Sequence, residues 1–209
     1  MDDRRARLQE ARLYFICGVD RLQTVESALR GGADIFQLRD KYASDGQLLR
    51  AAETVRALCD EHGALFVMND RPDLAVAARA DGVHLGQDDM AIEEARAVVG
   101  EDILIGHSTH APVQIDGAAG ADYIGVGPIH PTPTKRWRPA VGLELVRYAA
   151  AHASVPFFAI GGLDSVTLAD AVAAGATRAA IVRAISEAAD PEASTRALRA
   201  MLAVGDPVG

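Results

Sequence analysis

The stretch Ala64-Leu65-Phe66-Val67-Met68-Asn69-Asp70-Arg71-Pro72-Asp73-Leu74 decides the fold. Its apolar run stops at the polar pair Asn69-Asp70, and Pro72 stands where the first turn of a helix accepts proline. Leu74, Ala75, Ala77 and Ala78 give that helix a modest apolar face, which Asp81-Gly82 closes. A second short run, Val83-His84-Leu85, then meets Gly86-Gln87-Asp88-Asp89. The pattern predicts strand, helix and strand, with acids just past the carboxyl ends of two neighbouring parallel strands. In open α/β sheets and in α/β barrels that edge is where ligands bind.

Outward from this unit the same alternation recurs. Short apolar runs predict strands at 12–17, 34–39, 103–106, 123–126, 156–160 and 179–182, with helices at 21–29, 45–62, 91–99, 112–119, 143–152 and 165–174 and a last helical region over 191–204. Eight strands alternating with helices, at roughly 25 residues per unit, predict an α/β fold of one (β/α)8 TIM barrel. A repeat supports this: Gly32-Ala33-Asp34, Arg79-Ala80-Asp81, Gly120-Ala121-Asp122 and Gly175-Ala176-Thr177 each precede an even-numbered strand. Each supplies a helix terminator, a small residue and a polar turn residue, as a helix-to-strand turn requires. With no linker or low-complexity tract, residues 1–209 read as one domain whose Gly/Pro tail frays from about 205.

Composition narrows the function classes. A net charge of −8 argues against nucleic acid as the main partner, because phosphate backbones select clustered basic surface. No apolar run approaches the roughly 18 residues that span a membrane, and no signal-type segment precedes the first strand. Cys17 and Cys59 have no metal-type spacing, so the expected compartment is a reducing cytoplasm. Of the 21 basic residues only Lys41 and Lys135 are lysine; both fall in polar segments after predicted strands, where a compact point charge differs from arginine's fork. A homo-oligomer is compatible with the sequence, which leaves oligomeric state open.

The strand ends carry the chemistry. Gln37-Leu38-Arg39-Asp40-Lys41 places Gln37 and Arg39 on one face by strand alternation, with Lys41 following if the chain stays extended. This reads as a diphosphate clamp; a rim ion pair between arginine and aspartate is the alternative. Asp70 and the pair Asp88-Asp89 read either as helix caps or, taken across adjacent strand ends, as carboxylates for Mg²⁺, which keeps waters and phosphate oxygens in its octahedron. Asn69 is then a hydrogen-bonding neighbour of the substrate. His107-Ser108-Thr109-His110 lacks a third metal ligand, so Ser108 as a donor to substrate is the better reading, and His84 reads as a packed or hydrogen-bonded barrel residue. The 16-residue loop 127–142 exceeds the usual connection and offers Thr132, Thr134 and Lys135, with Pro133 among prolines that limit the entropy of closure. Gly161-Gly162 and Val182-Arg183, the latter expected at the start of the final helix, match the usual barrel phosphate site.

These motifs together resemble the thiamin-phosphate synthase family over nearly the whole chain. The resemblance rests on Gln37–Lys41, Asn69-Asp70-Arg71-x-Asp73, Gly86–Asp89, Ser108–His110, Gly127-Pro128-Ile129-x-Pro131-Thr132-x-Thr134-Lys135 and Gly161-Gly162. It implies coupling of an aminopyrimidine diphosphate to a thiazole phosphate, with release of pyrophosphate. It further implies that Gln37, Leu38, Arg39, Asp40, Lys41, Asn69, Ser108 and Lys135 bind the pyrimidine substrate, with Arg39, Lys41, Ser108 and Lys135 catalytic. Asp70 and Asp89 would hold Mg²⁺, leaving Asp88 as a solvated neighbour or cap. Thr132, Pro133, Thr134, Gly162, Val182 and Arg183 would hold the thiazole phosphate; Arg183 departs from the serine the family pattern leads one to expect. Two competing readings are a thiazole tautomerase of the same barrel type, which needs neither the acids nor the Thr-x-Thr-Lys loop, and a non-enzymatic barrel that binds thiamin precursors.

Overall fold

A computed structural model describes residues 4–132 and 139–203. Eight parallel strands close a barrel in chain order: β1 (Leu13–Cys17), β2 (Ile35–Leu38), β3 (Leu65–Asn69), β4 (Gly82–Leu85), β5 (Leu104–Thr109), β6 (Tyr123–Val126), β7 (Phe157–Ile160) and β8 (Ala179–Ile181). Around them run α1 (Arg4–Glu10), α2 (Val25–Arg30), α3 (Asp45–His62), α4 (Pro72–Ala77), α5 (Ile92–Val99), α6 (Pro112–Asp116), α7 (Gly142–His152), α8 (Thr167–Ala173), α9 (Arg183–Ser186) and α10 (Pro191–Ala203). The expected alternation is therefore present, with local differences. The helix predicted at 21–29 divides into a 3₁₀ segment, Val19–Thr24, and the short α2. The fifth strand continues to Thr109, which puts Ser108 inside the strand rather than in the loop after it. Two short helices, α1 and α9, have no counterpart in the sequence reading. The expected fraying tail lies outside the described residues, and among those described no helix is long and apolar enough to cross a membrane.

Helix α3 shows how local chemistry writes these elements. Ser44 and Gln47 form a reciprocal capping box at its start, and Gly63 closes it in the left-handed conformation at φ 67°. Together these satisfy end groups the helix cannot pair internally. Leu48, Ala51, Ala52, Val55 and Cys59 follow helical spacing and are buried against the sheet; burial raises the Cys59 thiol to about 12.

The four recurring turns share one backbone solution. Gly32, Arg79, Gly120 and Gly175 have φ of 98°, 51°, 89° and 105°; Arg79 adopts a conformation that costs a non-glycine residue about 1 kcal/mol. The following aspartates do more than turn the chain. Asp34 accepts from the Leu13 N–H, Asp81 from Phe66 N–H and Asp122 from Ile105 N–H, each at 2.8 or 2.9 Å, so three carboxylates tie down the starts of β1, β3 and β5. Arginines complete the collar: Arg199 on Asp34, Arg56 and Arg4 on Asp81, Arg96 and Arg5 on Asp122. Thr177 takes the corresponding place in the fourth quarter.

Two apolar shells flank the sheet. The outer shell lies between strands and helices and takes Phe15, Phe36, Leu38, Phe66 and Met68. The inner one fills the barrel with Tyr14, Ile16, Ile35, Leu65, Val67, Leu104, Tyr123, Phe158 and Ala180, and it includes Leu8 and Ala11. Helix α1 thus lies across the amino-terminal mouth, its Leu8 inserted and its Arg4 and Arg5 on the collar. The opposite mouth, at the carboxyl ends of the strands, carries those of the predicted site residues that are among the described ones.

Candidate active site

Three strand ends build the polar cluster. After β2 the chain continues through Arg39, whose N–H bonds Cys17 O at 2.9 Å, to Lys41. The Lys41 Nζ lies 3.1 Å from Asp70 Oδ2. Asp70 follows β3 with φ 61°, a left-handed position uncommon outside glycine, asparagine and aspartate. Its N–H donates to His84 O at 2.8 Å, which locks the residue onto the neighbouring strand. After β4, the carboxylate of Asp89 accepts from Gly86 N–H at 2.6 Å and meets that of Asp70.

Neither acid caps a helix. Arg71 stands at the start of α4 and Ala91 at the start of α5, both without a side-chain cap, so the capping alternative fails for Asp70 and Asp89. Their electrostatics diverge. Burial opposes ionisation of Asp70, but hydrogen bonding with Asp89 and the charges of Lys41 and Arg39 hold it below the usual carboxylate range. Asp89 is raised, first by burial and then by Asp70, against weaker help from Gly86 N–H and Lys41. Two carboxylates in contact require a shared proton or a cation.

The inner face of the mouth adds Gln37, Asn69 and Ser108. Ser108 is buried, and its Oγ lies 2.9 Å from His84 Nε2; His84 is thus a hydrogen-bonded barrel residue, as read from sequence. Gln87 ties the two strand ends together by donating to Ser108 O at 2.6 Å. The two histidines after β5 diverge, His107 toward Gln87 and His110 toward Gly127 O, and the described residues contain no cluster of three or more metal-ligating side chains of His, Cys, Asp or Glu. Burial lowers the His107 pKa.

Two members of the β2 motif sit differently from the rest. Leu38 is fully buried in the outer shell, so only its backbone faces the mouth. Asp40 accepts from Tyr42 N–H, Ala43 N–H and Val19 N–H, which shapes the loop carrying Lys41.

The second half of the mouth lies after β6, β7 and β8. Gly161 and Gly162 have φ of 104° and 66°, and a Cβ on Gly162 would come 2.7 Å from His130 Cβ; the β7 loop therefore passes close under the loop bearing Thr132. Val182 and Arg183 begin the four-residue α9, while the final helix starts only at Pro191. The sequence expectation that they open the final helix is corrected: Ser186 and Glu187 end that turn, and the chain must restart at Asp190. Arg183 is exposed. Pro133, Thr134 and Lys135 lie outside the described residues.

Tyr14 and Tyr123 lie beneath the site, and the sequence reading does not single them out. Both are wholly buried in the barrel, and the strand alternation Tyr14-x-Ile16 and Tyr123-x-Gly125 was the signal that they face inward.

Paired carboxylates and two cations at the carboxyl-terminal mouth of a (β/α)8 barrel define the class: a barrel with its polar cluster at the strand ends where such folds bind ligands. Residues 13–185 match the family model described as thiamine monophosphate synthase. The thiamine-phosphate synthase of Thermosynechococcus vestitus is 50% identical over 204 residues, covering 96% of this chain and 58% of that protein. That of Saccharopolyspora erythraea is 48% identical over 213 residues and is covered over 96% of its length. The structure of a thiamine phosphate pyrophosphorylase from Pyrococcus furiosus superposes with a TM-score of 0.85 at 32% identity, covering 96% of this chain and 98% of that one. The chain belongs to the thiamine monophosphate synthase family. It spans a little under three-fifths of the Thermosynechococcus vestitus relative, 58%.

Proposed function

We propose that the protein is a transferase that condenses 4-amino-2-methyl-5-(diphosphomethyl)pyrimidine with thiazole phosphate, giving thiamin phosphate and pyrophosphate. The observation that carries this reading is the cluster of Asp70, Asp89, Lys41 and Arg39 at adjacent strand ends. Membership of the family supports it. Asp70 and Asp89 fit Mg²⁺: they are hard oxygen donors in mutual contact, and a cation relieves the strain between them. When bound, Mg²⁺ supplies charge neutralisation to the leaving diphosphate.

The chain's own residues do the rest. Arg39 offers a planar fork and Lys41 a point charge to diphosphate oxygens, so negative charge developing on the leaving group is met by fixed cations. Gln37, Asn69 and Ser108 hold the pyrimidine ring on the inner face, with backbone contacts from Leu38 and Asp40. Thr132, Pro133, Thr134, Gly162 and the Val182-Arg183 turn hold the thiazole phosphate, and Lys135 adds a third cation to the diphosphate. The reaction is dissociative: the C–O bond to diphosphate breaks first, giving a pyrimidine-stabilised cation that the thiazole nitrogen captures. The protein holds that nitrogen over the carbon and excludes water. No serine–histidine nucleophile is needed.

The setting is a cytoplasmic enzyme of small molecules, forming one domain over 1–209 and compatible with a homo-oligomer. Free, buried Cys17 and Cys59 support a reducing compartment. The test is incubation with both precursors, with and without Mg²⁺, and assay of thiamin phosphate. Metal-dependent product is expected; no product under any metal condition defeats the reading.

A further inference from the structure

Below the cluster, the barrel interior carries a polar string, beside the His84–Ser108 pair, through a largely apolar filling. Gln37 is 2% exposed. It stands two residues before Arg39 on β2, roughly 7 Å deeper at the usual strand rise. Its Nε2 donates to the Tyr14 hydroxyl at 2.7 Å, and Tyr14 Oη lies 2.9 Å from Tyr123 Oη. Both tyrosines are 1% exposed. Phe158 meets both rings edge-on, with centroids 5.4 and 5.7 Å away, and fixes them against rotation. Gly106 makes the room: a Cβ there would fall 2.1 Å from Tyr123 Cζ and 2.4 Å from its Oη.

A phenol has one proton to give and two lone pairs to accept with. Burial drives both phenols far above their ordinary range, so each keeps its proton. Nε2–H donates into the Tyr14 oxygen, and one further hydrogen bond joins the two hydroxyls, with either of them able to donate. One end of the Gln37 side chain is therefore claimed from below. What faces a ligand is the carbonyl oxygen, an acceptor, together with the second N–H of the amide. A buried amide that lost this anchor would leave a donor unsatisfied or turn it toward the ligand, and either outcome costs affinity.

We infer that Tyr14 and Tyr123 are positioning residues that set the Gln37 amide for the N–H donor of an aminopyrimidine. The inference rests on the reading of Gln37 as a pyrimidine contact. It predicts coupling between Tyr14 and Gln37 that a purely packing role would not show.

The experiment is calorimetric titration of the pyrimidine diphosphate, with Mg²⁺ present, into wild type, Tyr14→Phe, Gln37→Ala and the double variant. Tyr14→Phe is expected to weaken binding about tenfold, and to add nothing in the Gln37→Ala background. Thiazole phosphate binding stays unchanged in all four. Tyr123→Phe is the second variant, expected to give a smaller loss that also vanishes without Gln37. An equal loss in both backgrounds, or a parallel loss for thiazole phosphate, identifies general packing and overturns the inference. So does failure of wild type to bind the pyrimidine diphosphate. Turnover of wild type with both precursors is measured alongside. Binding without product defeats the synthase reading alone, and the cycle still decides the role of the tyrosines.

Discussion

Replacing Asp89 by asparagine should raise the melting temperature in the absence of divalent metal and lower it, relative to wild type, in saturating Mg²⁺. The Asp89 carboxyl is raised by burial and by Asp70. The folded protein therefore holds that proton more tightly than the unfolded chain does, and stability is lost as pH rises through the folded pKa. Above the folded pKa the penalty is in full force; well below the ordinary aspartate range both states are protonated and it vanishes. Asparagine retains an oxygen for the Gly86 N–H, now at 2.6 Å, and removes the charge. Relief of this kind contributes on the order of 1 kcal/mol, with the half-exposed position keeping it from being larger. For a chain of this size that is a gain of roughly 2–4 °C. Wild type with Mg²⁺ at a hundred times its dissociation constant gains about 2.7 kcal/mol, roughly 5–11 °C, whereas Asp89→Asn, with one carboxylate of two, gains much less. Scanning calorimetry in chelator and across a Mg²⁺ titration reads both halves. A variant that melts below wild type in chelator would mean that the Asp89 charge is a structural anchor. Equal rises with Mg²⁺ would mean that the metal is held elsewhere.

Three further outcomes are expected. Asp81→Ala strips Arg4, Arg56 and the Phe66 N–H of one shared acceptor and should cost about 3–5 kcal/mol in chemical denaturation, while Asp122→Ala, whose partner Arg5 is half exposed, should cost less; equal and small losses would remove the collar from the account of stability. Lys41→Ala should slow single-turnover diphosphate release by about a hundredfold, and an unchanged rate would remove it from the chemistry. Gly106→Ala forces a methyl onto the Tyr123 phenol and should destabilise by about 1–3 kcal/mol with altered near-ultraviolet dichroism; wild-type stability and spectrum would show that the ring has room to move.

The barrel was legible because its punctuation is local. Gly32, Gly120 and Gly175 announce left-handed turns, and Gly63 marks the end of α3 to the residue. The acids of the site were legible as a pair only because strand, helix and strand bring Asp70 and Asp89 to adjacent ends. Helix α1 was not legible. Its one buried residue, Leu8, makes no periodic face, and its hold comes from Asp81 and Asp122, which lie many residues away in the chain. The aspartates of the repeated turns look in the sequence like turn formers, and nothing in their spacing reveals that their carboxylates bond the starts of β1, β3 and β5. The Gln37–Tyr14–Tyr123 string escaped for the same reason: each residue looks like an ordinary strand position, and only closure of the sheet brings β1, β2 and β6 face to face.

Helix α1 changes what kind of vessel the barrel is. With Leu8 and Ala11 joined to the inner filling, the cylinder has a floor, and traffic of substrates, products and solvent is confined to one rim. On the proposed mechanism, a short-lived carbocation formed at that rim would meet competing water from above only, so whatever covers the top would decide how much of it is lost to hydrolysis. Loosening the floor, by cutting Arg4 and Arg5 away from their aspartates, would turn the well into a leaking pipe whose first symptom is wasted substrate rather than a slower enzyme.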